Sequence, residues 1–111
     1  MIEWRTKGGG LCSAIQPGRC CSSWNSFSLA RGIAVQFGPN CEVVVHDLTG
    51  GENAPSIVCI ENGHVTGRKV GDGPSHVALE ALRGDRGHME DHLSYLTRTR
   101  DGKILKSSTI Y

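Results

Sequence analysis

The sequence predicts one α+β domain, in which helices cover one face of an antiparallel sheet. The chain has 111 residues, enough for one hydrophobic core and too few for two domains of ordinary size. Its apolar patterns follow in the order helix, strand, strand, helix, strand, strand, with sequential strands close together in the chain. This order lacks the βαβ alternation that builds parallel sheets.

Charge and cysteine content restrict the classes of function. Twelve basic and eleven acidic residues give a net charge of +1, so no overall field draws the chain to nucleic acid or anionic lipid. The apolar runs are far shorter than the roughly 20 residues that cross a bilayer, and the N-terminus lacks the apolar segment of a secretion signal. Five irregularly spaced cysteines indicate reduced thiols rather than a disulfide framework. We therefore expect a cytoplasmic protein.

Residues 1–26 have no period of 2 or 3.6 that would bury one face. We expect a flexible, poorly ordered leader here, followed by a domain of residues 27–111. Cys12, Cys20 and Cys21 lack the C-x2-C spacing with which two thiolates bind one tetrahedral ion. The interpretation as unpaired thiols is therefore favoured over a metal site.

Two segments have helical periodicity. Within residues 26–37, apolar residues recur at steps of three and four, and Gly38-Pro39 follows, which ends a helix. A serine at the start of this run is a suitable N-cap. The second helix follows the cap residue Ser75 and ends before Gly84.

Valine-rich runs and turn signals predict the first pair of strands. Residues 42–48 are bounded on both sides by glycine and other turn residues. Residues 56–61 end at Asn62-Gly63, a dipeptide typical of two-residue hairpins, so we expect residues 65–70 to pair back onto them.

The last segment predicts another hairpin. Residues 93–100 and 103–111 flank the dipeptide Asp-Gly at 101–102, which again indicates a two-residue turn. In the register of such a turn, Tyr95 faces the same way as Ile104.

Three blocks of the sequence resemble a known family. They are FGPNCEVVVHDL at 37–48, SIVCIENGHVTGRKVGD at 56–72 and YLTRTRDGKILKSSTIY at 95–111. In this order they resemble the YheO-like PAS domain of bacterial transcriptional regulators, and the resemblance runs from near Phe27 to the end of the chain. It implies a PAS-like fold, in which the antiparallel sheet and its covering helices enclose a small pocket.

The resemblance also implies a role without catalysis. The domain would be the signal-receiving and chain-pairing half of a cytoplasmic regulator, and a helix-turn-helix domain would bind the DNA. The resemblance defines neither a ligand nor a cofactor, so both are unknown.

The chain departs from the family pattern at both ends. Family members continue beyond the position of Tyr111 with a turn and at least one more strand, then a linker and the DNA-binding helices, whereas this sequence stops. We therefore expect an open sheet edge, which favours pairing with a second chain, and no DNA contact from this chain itself. Residues 1–26 also differ from the helical entry that the family uses.

Four polar residues of the matching blocks are candidates for lining the pocket: His46, Asn62, His64 and Arg68. Polar groups that project into a largely apolar cavity fix the orientation of a ligand. The leading hypothesis is thus a sensor domain that forms a homodimer and binds a small ligand or partner. A dimerisation module without a ligand is the alternative.

Other chemical interpretations are weaker. His88 and His92, at i and i+4, suggest a small metal-dependent enzyme, but they match neither H-E-x-x-H nor H-x-x-E-H. Cys41 and His46 do not suggest a nucleophile and its base, because an odd spacing on a strand places them on opposite faces. The basic C-terminal hairpin lacks the aromatic platform that stacks nucleic-acid bases, so a solvated face is favoured there.

Overall fold

The structure, a computed structural model, describes residues 1–6, 24–84 and 90–111. Its strands are β1 (Ile2–Thr6), β2 (Cys41–His46), β3 (Ile57–Glu61), β4 (His92–Arg98) and β5 (Ile104–Ile110). Its helices are α1 (Trp24–Phe37), α2 (His76–Arg83) and a 3-10 helix at Gly63–Val65. The predicted α+β class is confirmed.

All five strands form one antiparallel sheet in the order β3-β2-β1-β5-β4. β1 is therefore the central strand, paired with β2 on one side and with β5 on the other. The prediction of a loose leader is wrong for residues 2–6, and residues 7–23 lie outside the described part of the chain. β5 is paired on both sides, with β4 and β1, so the edge strands of this sheet are β3 and β4.

α1 packs on one face of the sheet, and the 3-10 helix contacts β2 from the other face. Ala30 and Ala34 of α1 pack against alternate residues of β2, including Cys41 and Val43. Glu42, between those two residues, points to the opposite face, where it accepts hydrogen bonds from Thr66, just after the 3-10 helix. Every residue of β2 is consequently buried.

Two predicted caps are confirmed, but α1 begins at Trp24, so Ser26 lies inside this helix and is not its N-cap. α1 ends at Gly38, which has φ 86° and donates its amide to the Ala34 carbonyl at 2.9 Å. The Ser75 hydroxyl caps α2 by accepting from the Ala78 amide at 3.2 Å. These signals for the end and the start of a helix depend only on nearby residues, so they can be identified from the sequence alone.

The hairpin predicted at Asn62-Gly63 does not form. Asn62 has the expected left-handed backbone, with φ 55°, but its amide Nδ2 donates to the carbonyls of Gly38 (3.2 Å) and Cys41 (2.8 Å). The chain then turns into the 3-10 helix, and the Gly63 carbonyl accepts from the amides of Gly67 and Arg68. Hydrogen bonds from the Asn62 side chain to the turn before β2 thus form in place of the expected pairing between residues 56–61 and 65–70.

The C-terminal hairpin forms, but its register is one residue away from the prediction. Arg98 pairs with Ile104 and Tyr95 with Ser107, because the connection spans Thr99 to Lys103 rather than two residues. A shift of one residue moves each side chain to the other face. Tyr95 therefore lies opposite buried Ser107, and Ile104 is exposed.

Candidate functional site

A cleft of about 950 Å³ lies between the segment that leads into α2 and the tip of the β4–β5 hairpin. One wall comes from the end of the 3-10 helix, the loop after it and the first residues of α2. The other wall comes from the end of β4 and the connection to β5. The lining residues with charged or ionisable side chains are His64, Arg68, His76, Arg98, Arg100, Asp101 and Lys103.

Two of the four sequence candidates, His64 and Arg68, line this cleft. The 3-10 helix positions His64, which is exposed, and the bond from the Arg68 amide to the Gly63 carbonyl (3.1 Å) holds Arg68 next to it. The structure thus brings together the two candidates that follow the Asn62 turn.

The other two candidates lie elsewhere. His46 is buried, and its Nδ1 is 2.8 Å from the Ser56 hydroxyl. It lines a second cavity of about 320 Å³ together with Met1, Leu82 and Tyr111. Asn62 lines neither cavity, because its amide is bonded to backbone carbonyls at the start of β2.

Glu42 fixes the wall that carries Arg68. Its side chain is fully buried, and Oε2 accepts from the Thr66 amide at 3.1 Å and from the Thr66 hydroxyl at 2.7 Å. A carboxylate that receives both bonds defines the position of Thr66, which itself lines the cleft. Glu42 therefore positions the cleft wall.

Replacing Thr66 by Val is expected to lower the free energy of unfolding by about 1–3 kcal/mol, because a buried carboxylate loses one charge-assisted hydrogen bond. Thr49→Val is the matched control. It removes a hydroxyl bond of the same 2.7 Å length to Asp47, but at an exposed site, so its cost should stay below about 1 kcal/mol. Urea denaturation followed by circular dichroism measures both; equal losses would contradict the role given to Glu42.

Among the lining residues that the structure describes, Asp101 of the hairpin wall is the one with a carboxylate. Its side chain accepts from the Thr99 hydroxyl, and the Lys103 ammonium lies 3.0 Å from Oδ2. The Thr99 bond first, and then Lys103, hold the pKa of Asp101 below its usual value. Asp101 is thus ionised at neutral pH and already engaged by its own hairpin.

Two further chemical interpretations concern a nucleophile at Cys41 and a metal centre at His88 and His92. Cys41 is buried on the face next to α1, and burial raises the pKa of its thiol to about 11, with a further contribution from Glu42. His88 lies outside the described residues, and the His92 ring packs edge-on near Tyr95 and Tyr111. No cluster of three metal-ligating side chains occurs within residues 1–6, 24–84 and 90–111.

Sequence reasoning missed Arg98, Arg100 and Lys103 as residues of this site. Their basic character was visible in the sequence, but a charged strand face is usually solvated. The signal that could have found them is the proximity of a hairpin tip to the Gly73-Pro74 turn, which only the folded chain reveals.

The five-stranded antiparallel sheet, the helices on it and the lateral cleft define a small α+β domain of the PAS type. A family model described as the YheO-like PAS domain matches residues 24–111. The chain belongs to this family, as its sequence blocks predict.

Curated relatives share this part of the sequence. An uncharacterized protein of Haemophilus influenzae is 36% identical over 87 residues, which cover 78% of this chain and 38% of the relative. The uncharacterized protein YheO of Escherichia coli K12 is 37% identical over 85 residues, which cover 75% of this chain and 34% of the relative. The chain thus spans little more than a third of the relatives that it matches. No solved structure matches it.

Membership of this family indicates a regulatory PAS domain. Neither α1 nor α2, the two α-helices in the described ranges, has the length and apolar composition that a membrane crossing requires.

Proposed function

We propose that this chain is the sensory domain of a cytoplasmic transcriptional regulator and binds a small ligand in the cleft beside Arg68, without catalysis. The observation that carries the proposal is that His64 and Arg68, both within the block that matches the family, face a cleft of small-molecule size. DNA binding would belong to a helix-turn-helix domain outside this sequence. The shared segment is only part of each relative, which leaves room for such a domain.

The proposed function also includes the pairing of two chains into a homodimer. Large apolar side chains are exposed on α1 and on the sheet face that α1 covers in part. They include Leu29 and Phe37 on the helix and Leu96 and Ile104 on the β4–β5 hairpin, with Leu96 72% exposed. Such a surface is typical of a protein interface, and it favours a homodimer. It equally supports the second candidate function, a dimerisation module that binds no ligand.

Native mass spectrometry of the purified full chain separates these two functions. The sensory function predicts a dimer that retains one small molecule per chain, and a Thr97→Trp variant, which fills the cleft from its β4 side, should lose that mass and still pair. A Leu96→Glu variant should reduce pairing and keep the ligand. An empty wild-type dimer would contradict sensing and support the ligand-free module.

A further inference from the structure

We propose that the ligand of the cleft is a small organic anion with at least two negative charges, such as a di- or tricarboxylate or a phosphate ester. This inference rests on the proposed sensory function and adds the chemical class of the ligand. The distribution of charge around the cleft is its basis.

The cleft concentrates positive charge that the chain as a whole lacks. Of the described residues that line the cleft, four are basic, namely Arg68, Arg98, Arg100 and Lys103, and one is acidic, so their formal charge is +3. The whole chain carries only +1. Such a local excess within a concave site attracts anions and raises their local concentration.

Acidic groups near the cleft already have partners on the protein. Asp101 is bound by Thr99 and Lys103, and Glu42 is buried behind Thr66. Glu80 lies 3.6 Å from His76, on the exposed side of α2. These carboxylates therefore leave a net positive lining.

Backbone groups add to the same preference. The first residues of α2, His76 and Val77, line the cleft, and the first turn of this helix contains no acidic residue. A helix N-terminus carries partial positive charge and favours anions. Arginine complements it, since a planar guanidinium binds carboxylate or phosphate oxygens in pairs.

The size and lining of the cleft favour a small molecule over nucleic acid. A volume of about 950 Å³ falls within the range of small-molecule sites. Within the described part of the chain, the lining contains two histidines but no Phe, Tyr or Trp side chain on which bases would stack. A compact polyanion uses the available charge without needing such a platform.

Isothermal titration of the full chain with citrate, succinate and inorganic phosphate tests the proposal, with glycerol and putrescine as neutral and cationic controls. The expected result is saturable binding of citrate, weaker binding of succinate and phosphate, and none of either control. Arg100→Gln, at an exposed position that tolerates substitution, should raise the Kd for citrate about tenfold or more, and Arg68→Gln should act in the same direction. Arg31→Gln, on α1, makes the same change of charge away from the cleft and should leave the Kd within about twofold.

Citrate binding that is equally strong in the Arg31, Arg68 and Arg100 variants would overturn the proposal, as would an absence of anion binding. If native mass spectrometry finds a retained molecule that is neutral or cationic, the sensory function stands and the anion inference fails. If it finds no molecule and no anion binds, both fail.

Discussion

A chain carrying Glu3→Pro is expected to lose about 3 kcal/mol or more of its free energy of unfolding. Glu3 lies in the middle of β1, opposite Val44 on one side and Thr109 on the other. Proline removes the backbone N–H, leaves a partner carbonyl unpaired and fits poorly in a central strand. β1 joins the β3-β2 pair to the β5-β4 pair, and isolated two-stranded units are at best marginally stable in water.

Urea denaturation followed by circular dichroism measures this loss. Glu3→Gln is the matched control, because it removes the charge and keeps the backbone N–H. The free energy of unfolding of the control should lie within about 0.5 kcal/mol of the wild-type value. Proline and glutamine variants with the same unfolding midpoint would show that β1 does not hold the two halves of the sheet together.

Gly63→Ala should destabilise the fold by about 1–3 kcal/mol and disturb the cleft at the same time. A Cβ atom at residue 63 would lie 2.4 Å from the Arg68 carbonyl oxygen and 3.1 Å from Cδ1 of Ile60. The first contact is with backbone, which cannot move aside as a flexible side chain does, so overpacking is the expected result. Arg68 would shift with its carbonyl, and anion affinity should fall as well.

Gly32→Ala is the matched control for this substitution. Gly32 lies within α1, and a Cβ atom there would meet no other atom within 4 Å. Alanine is a better helix former than glycine, so the free energy of unfolding of this variant should rise by about 0.5–1 kcal/mol. In thermal or urea unfolding, Gly63→Ala is expected to lower the free energy of unfolding and Gly32→Ala to raise it. A neutral Gly63→Ala would show that the turn relaxes easily, and the tight packing argued for this corner would be wrong.

The sequence predicted those parts of the fold that depend on neighbours in the chain. Gly38 ends α1, Ser75 caps α2, and the runs around Val44 and Cys59 form paired strands. The family resemblance added the PAS-like class. These signals are short-range, or they are shared with relatives, so one sequence carries them.

The errors arose where distant contacts decide the structure. β1 alternates apolar and polar residues, as IEWRT, but five residues before a run of glycines are too few to identify a strand, and its pairing with β2 and β5 on both sides makes it one. Asn62 formed no hairpin because its side chain is bonded to Gly38 and Cys41, about twenty residues earlier. Contacts between residues this far apart in the sequence cannot be identified from local residue patterns.

The candidate site was predictable in part for the same reason. His64 and Arg68 belong to one short block, so the resemblance selected them together. His46 and Asn62 share that resemblance, but their burial and bonding follow from the sheet and from the turn before β2. Arg100 faces the cleft because of tertiary packing alone, and nothing in its own neighbourhood distinguishes it from a solvated arginine.

The central position of β1 also bears on how the chain folds. β2 and β3 are close in sequence, as are β4 and β5, so each pair needs only a short loop to close. Ile2 and Ile110, by contrast, are neighbours in the sheet although they lie at opposite ends of the chain. Among the strand pairings of the described residues, this one closes the longest loop and has the largest entropy cost, and non-local pairings of this kind slow folding. We therefore expect the two pairs of strands to form early and the joining of the chain ends to limit the rate.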